Sequence, residues 1–238
     1  MDHRAMTMRV PARVMSPEMF APFDGYPLVC ALARDLRTRL LWCNEEYGRT
    51  VGRTCEQLLG TTLEEIMAVE AARERIDLMM QILETGYPGA YFQVWNDRRY
   101  MTAVWRLDPA AFGCEGAFII LTRAFGEREV DTIDYDHLKV TSTPHFDKLD
   151  KLTRRELEVL YYAALGMTSD EVAQRLFRSI KTVENHLASI SHKMDFKGRA
   201  ELVRFATARG IVAFAEHEWI KLAANKRAAP DASEGSAT

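Results

Sequence analysis

The sequence predicts an α+β chain in two parts: an N-terminal antiparallel sheet dressed with helices, and a C-terminal all-α segment of four helices. Three observations carry that prediction. Between Tyr26 and Phe125, apolar runs of strand length alternate with turn residues. Between Leu149 and Val212, capping residues repeatedly open segments whose apolar side chains recur every three to four positions. Charge is also divided along the chain. From Lys148 to Arg209 there are twelve lysines and arginines against eight acidic residues, an excess of +4. The whole chain carries −3, so the rest carries −7. A basic segment on an acidic chain is the electrostatic pattern of a nucleic-acid reader joined to something else.

Composition excludes several classes. The chain has 238 residues, 47% hydrophobic and 27% charged, the balance of a globular protein. No apolar run approaches the ~18 residues of a membrane span. Residues 1–20 hold no continuous apolar stretch of the secretory kind, so a cytoplasmic protein without a membrane partner is expected. Cys30, Cys43, Cys55 and Cys114 are scattered, with neither metal-ligand nor disulfide-scaffold spacing, and read as reduced thiols. Cys43 and Cys114 are the candidates for redox sensing.

In chain order, 1–23 reads as a flexible leader and 24–125 as the sheet domain. Pro27–Arg34 is a buried strand, 36–38 a turn, and Arg39–Cys43 the returning strand. Asn44 is placed to cap a helix over Glu45–Val51, and Thr61 or Thr62 one over Leu63–Val69, with Thr62 and Glu65 at capping-box spacing. Glu70–Glu84 is a longer amphipathic helix, with Ile76, Met79, Met80 and Leu83 on one side and Gly86 at its end. Strands follow over Ala90–Trp95, Arg99–Leu107 and Gly116–Arg123, the first two joined by a turn at Asn96-Asp97-Arg98. The run Phe118–Leu121 is apolar enough for a central strand. Residues 126–148 read as a polar linker, 149–212 as the helical domain, and 213–238 as a helical extension with a disordered tail.

The element order over 24–125, with Arg34-Asp35, Trp42-Cys43-Asn44, Tyr47 and Leu59-Gly60 in sequence, resembles a PAS domain. That resemblance implies a sensor or dimerisation module. No histidine lies between 24 and 125, which argues against haem, and the flavin-binding cysteine motif of photosensory relatives is absent. No cofactor is expected. Trp42, Phe92, Trp95, Trp105 and Phe118 either line a pocket for an unidentified small ligand or fill the core.

In the helical domain Thr153 and Glu156 form a capping box that opens a helix with Leu157, Leu160, Tyr161 and Ala164 on one face, ended by Gly166. A second box, Thr168 and Glu171, opens a short helix with Val172, Ala173 and Leu176 inward. Ser179 caps a third helix, Ile180 to about Met194. Gly198 precedes the fourth, Arg199–Arg209, which Gly210 closes. A tight turn between the second and third helices is helix-turn-helix anatomy. In the third helix Ile180, Val183, Leu187, Ile190 and Met194 share a narrow arc, expected to face the core. Lys181, Asn185, Ala188, Ser189 and His192 occupy the opposite arc, with Thr182 and Glu184 flanking it. That face carries no bulky apolar group, as entry into a major groove requires.

Leu152-Thr153, Arg155-Glu156, Glu158-Val159-Leu160, Gly166, Glu171-Val172-Ala173, Leu176, Ser179, Thr182-Val183, His186, Ile190, Lys193-Met194 and Arg199 together resemble the LuxR/GerE-type helix-turn-helix. The resemblance implies a DNA-binding transcription regulator, usually a homodimer on inverted repeats, acting on double-stranded DNA and RNA polymerase. Lys181, Thr182 and Lys193 are phosphate candidates, Asn185 can pair with adenine, Ala188 can touch a thymine methyl, and His186 lies at the flank. Arg178 departs from the usual aliphatic residue and Ile180 from a polar one. Glu184, often a lysine, must accept from a cytosine amino group or turn aside. Leu202, Val203 and Ala206 either form a dimer contact or pack in the core.

No Ser/His/Asp set, phosphate loop, GxGxxG or metal cluster is present, so an enzyme is not expected. Two alternatives remain open: a sigma-like RNA polymerase subunit, disfavoured by the strand-rich N-terminal half, and a PAS adaptor whose helix-turn-helix no longer binds DNA.

Overall fold

The computed structural model describes residues 14–24, 26–124 and 138–226. The chain divides into two compact units: Met1–Tyr91 with Thr102–Thr122, and Phe92–Met101 with Arg123–Thr238. The predicted α+β class holds.

The sheet contains β2 (Val29–Asp35), β3 (Leu40–Cys43), β4 (Gly89–Trp95), β5 (Arg98–Leu107) and β6 (Gly116–Arg123), with a two-residue β1 (Val14–Met15) added at one edge. Its order is β1-β5-β6-β2-β3, and β4 pairs β5. β2 runs antiparallel to both neighbours, with Leu32 opposite Ile119 and Cys43. Phe118–Leu121 does sit on a central strand, β6. The β2–β3 turn is built by Asp35, whose carboxylate accepts from the amides of Arg37 (2.9 Å) and Arg39 (2.8 Å) and pairs with the Arg39 guanidinium. Thr38 takes a positive φ of 63° there.

Asn44 caps α1 (Glu45–Val51), accepting from the Tyr47 amide at 3.1 Å. Its side chain does more than capping. It also accepts from the Ala31 amide and donates to the carbonyls of Phe23 and Val29, tying helix, strand and N-terminal segment together. Arg34 is fully buried and donates to the carbonyls of Thr38 and Thr61 and to the Tyr47 hydroxyl.

Four expectations for this region change. The helix predicted over Leu63–Val69 is a set of turns; Glu65 bonds back to Thr62 as predicted, but no helical ladder follows. A short helix, α2 (Cys55–Leu58), stands just before it, opened by a Thr54–Gln57 capping box. The buried face of α3 (Val69–Thr85) consists of Ala71, Ala72, Arg75, Met79 and Leu83, rotated from the predicted one, so Ile76 and Met80 are only half-buried. Arg75 is taken inward and donates to the Ala71 carbonyl. A one-turn helix, α4 (Pro109–Phe112), capped by Asp108, was not foreseen.

The expected flexible leader is packed where it is described. Phe20 is buried, stacks 4.5 Å from Phe118 and meets Trp42 in a tilted contact at 4.8 Å. Phe23, Phe112 and Trp105 complete that cluster. Trp42 and Trp105, half-buried, each pack on the buried Phe118 ring at the side of this core. Residues 1–13 of the leader, 125–137 of the linker and 227–238 of the tail lie outside the described residues.

The second unit holds α5 (Arg154–Ala164), α6 (Ser169–Leu176), α7 (Ile180–Met194), α8 (Arg199–Ala208) and α9 (Glu216–Ala224). Four helices were predicted to form this domain; α9 joins them as a full core member. Trp219 is 0% exposed, stacks on Tyr161 at 5.9 Å and donates to the Leu157 carbonyl. The segment 138–148, predicted as linker, is also held: the Phe92 amide donates to the Lys139 carbonyl, the Phe92 carbonyl accepts from the Thr141 amide, and Phe146 packs near Trp219. Within this unit the hairpin tip at 92–101 contributes Asp97, a buried carboxylate that accepts the amides of Asp147, Lys148 and Leu149 at 2.8, 2.8 and 3.2 Å. Burial raises its carboxyl above the ordinary value, against the pull of those three amides.

Candidate nucleic-acid interface

α5 is the platform. Thr153 and Glu156 form the predicted capping box, and Glu156 then reaches beyond it. Its carboxylate accepts from the Thr153 amide (2.7 Å), the Ser189 hydroxyl (2.6 Å) and the Lys193 ammonium (2.7 and 2.9 Å). Burial alone would raise this carboxyl, but those donors outweigh it and hold it at about 2. One buried carboxylate thus bolts the C-terminal half of α7 to the start of α5.

α6 begins in a second capping box, Thr168 with Glu171, and ends on Phe177 in the left-handed region at φ 52°. The Arg178 amide closes the turn on the Ala173 carbonyl at 2.9 Å. Ser179 then starts α7, accepting from the Thr182 amide at 3.1 Å. Two residues in a tight corner therefore separate α6 from the cap of α7. Arg199, at the first position of α8, donates to the carbonyls of Ala163, in the last turn of α5, and Met167, just beyond it, tying the start of α8 to the end of α5.

The faces of α7 fall as follows. Val183 and Ile190 are buried, and Leu187 and Met194 half-buried against the same core. Ile180, predicted to share that arc, is 46% exposed. It stands on the first turn of α7, where the chain has just left α6. Lys181, Glu184, Asn185, Ala188 and His192 are exposed, and Thr182 and His186 half-buried at the margins. Ser189, predicted on the open arc, is turned to Glu156. Lys193, a phosphate candidate by sequence, is the ion-pair partner of Glu156. Lys181, Thr182, Glu184, Asn185, His186 and Ala188 are brought onto one accessible side of the helix, with Lys193 drawn off toward α5.

Sequence reasoning missed two features of the turn. Phe177 is 89% exposed, and Arg178 is exposed without an acidic partner among the described residues. The departure at Arg178 was the available signal, since a charged residue rarely enters a core. Leu202 and Ala206 of α8 are buried in the core of this same unit, leaving Val203 as the half-buried member of the trio weighed for a dimer contact.

Comparison with known proteins bears on this geometry. Residues 150–206 match the family of bacterial regulatory proteins, luxR family, also called GerE. This segment is a LuxR-family helix-turn-helix domain. The chain is 37% identical over 82 residues to the oxygen regulatory protein NreC of Staphylococcus haemolyticus, covering 34% of this chain and 37% of that protein. Against NreC of Staphylococcus carnosus it is 41% identical over 63 residues, 26% of this chain and 29% of that one. It thus spans about a third of the length of these curated relatives. Among solved structures, the Vibrio cholerae VqmA dimer superposes with a TM-score of 0.41 at 20% identity over 87% of this chain and 93% of that one. The PAS domain of the histidine kinase ThkA superposes at 0.34 and 16%, over 40% of this chain and 97% of that domain. The match to the LuxR-family model runs over α5, α6, α7 and most of α8.

No helix among the described residues is long and apolar enough to cross a membrane. No group of three or more histidine, cysteine or acidic side chains among them is arranged to hold a metal. Cys43 is buried, and burial beside Cys55 pushes its thiol up, away from the reactive thiolate form that redox sensing needs.

Proposed function

We propose that this chain is a cytoplasmic, homodimeric transcription regulator that reads double-stranded DNA with α7 and acts on RNA polymerase. Its PAS-like sheet would receive the signal or partner that controls reading. One observation supports the proposal: in the segment that matches the LuxR-family model, α7 exposes Lys181, Glu184, Asn185 and Ala188 and is tied from behind to Glu156. A rigid helix with hydrogen-bonding side chains is what the major groove admits.

Roles follow from placement. Lys181 and Thr182, in the first turn, are near enough to the corner to take phosphates. Asn185 stands out from the middle of the helix and can bind adenine through two hydrogen bonds, worth about 1–3 kcal/mol of discrimination. Glu184 has no basic partner among the described residues and is free to accept from a cytosine amino group. Ala188 is small and exposed, suited to a thymine methyl. His186 flanks the face. Lys193 reaches a phosphate only by leaving the Glu156 carboxylate, so we give it the secondary role.

The test is selection of duplexes from a random library by the full-length chain at fixed moderate salt. An enriched inverted repeat, lost in Asn185→Ala, is the expected result. Absence of any enriched sequence, with binding insensitive to salt, overturns the proposal, because phosphate contacts make DNA affinity steeply salt-dependent.

A further inference from the structure

Ile180 has been expelled from the core and stands at the first position of α7. It lines a shallow groove of about 640 Å³ whose walls include Phe177, Arg178, Ser179 and Thr182 and, on α6, the Asp170 carboxylate, which accepts from the Gln174 side-chain amide at 2.8 Å. Isolated exposed apolar residues need no explanation, but this one has three companions. Phe177 lies three residues before it, also exposed. Arg178 and Lys181 bracket it in sequence, both exposed and without acidic partners among the described residues. An apolar tip between two cations, with Asp170 on the α6 wall of the same groove, does not fit a uniformly acidic or uniformly apolar occupant. It does match the edge of a duplex, where phosphates run beside the one methyl group that the major groove displays, that of thymine. The N-terminal residues of a recognition helix are the ones that reach base edges.

We propose that Ile180 is a specificity-determining residue that reads a thymine 5-methyl group, with Arg178 and Lys181 on the adjoining phosphates. This rests on the DNA-reading function above and adds a contact to it. Ile180 is not a substitute for Ala188, which lies two turns further along α7. Each would report on a different base pair. Phe177 lies at the outer wall of the same groove and excludes water from the methyl contact.

The experiment uses the duplex obtained by selection and the full-length chain. Each thymine in turn is replaced by uracil, which removes only the methyl, and dissociation constants are measured for the natural chain, Ile180→Ser, Ile180→Val and Ala188→Ser. One uracil should weaken the natural chain about three- to fivefold, the worth of one methyl buried. That penalty should vanish in Ile180→Ser, persist in Ile180→Val, and persist in Ala188→Ser. Because Ile180 is outside the core, the Ser variant folds, and its binding to a non-specific duplex serves as the control. Equal uracil penalties in the natural chain and Ile180→Ser overturn the inference while leaving DNA reading intact. So does the absence of any uracil effect. A natural chain that binds no duplex overturns both, and the two failures are told apart by that first measurement.

Discussion

Each unit uses a buried charged side chain as an organising point, Arg34 in one and Glu156 in the other, and the two are satisfied in opposite ways. In the N-terminal unit Arg34 gives its protons to neutral acceptors: two main-chain carbonyls and the Tyr47 hydroxyl. Its Nε is buried without an acceptor. In the C-terminal unit Glu156 faces a true counter-ion, Lys193, together with a hydroxyl and an amide. The first arrangement fixes loop carbonyls to a strand and contains no carboxylate for acid to neutralise. The second joins two helices through an ion pair that acid dissolves. The Arg34 cluster is accordingly held by neutral acceptors, and the Glu156 cluster by charge.

The sharpest break of this comparison is Arg34→Met. It strands three acceptors in the core, each costing about 1–3 kcal/mol, so a loss of about 3–5 kcal/mol is expected in denaturant unfolding of the N-terminal unit. A loss under ~1 kcal/mol would show that the carbonyls find water. Next is Glu156→Gln, with a loss of about 2–3 kcal/mol at neutral pH. The sign follows from linkage. The folded carboxyl lies at about 2, below its ordinary 4.5, so its stabilisation is complete above 4.5 and is lost as pH falls toward 2. The natural chain should therefore weaken across that window. Glu156→Gln should be weaker at pH 7 but flatter in acid, and an unchanged acid limb in thermal melts would contradict the assignment. Thr168→Ala removes the cap of α6 and should cost about 1 kcal/mol. The smallest effect is Lys181→Ala, which should leave folding alone and lower the salt slope of DNA binding by about one, read from log K against log salt.

How legible was this in the sequence? Local chemistry was. Asn44, Thr153, Thr168 and Ser179 cap the helices they were expected to cap, because a hydroxyl or amide at that position answers amides only two or three residues away. The turn at Asn96-Asp97 is tight, with both residues at positive φ. Non-local choices were not legible. Periodicity placed Ile180 on the core arc correctly by angle, but a helix end has no neighbour on its far side, and angle alone cannot register that. Arg75 was passed over for Ile76 because a hydropathy pattern scores a guanidinium as outward, whereas here it lies inward against Ala71 and near Tyr91. At the candidate interface, the residues left exposed were readable, but the diversion of Ser189 and Lys193 depended on a carboxylate more than thirty residues away.

The hairpin tip at 92–101 has a practical consequence for anyone dividing this protein. The C-terminal unit is assembled from two separated stretches of chain, so no single cut releases it whole. A fragment beginning near residue 148 would carry every side chain proposed to face DNA yet leave behind Asp97, which receives the amides of Lys148 and Leu149, and Val94, which belongs to its apolar core. Such a fragment starts life with an exposed seam. A reader domain intended to work alone needs that hairpin supplied by a fused segment, or a rebuilt surface in its place.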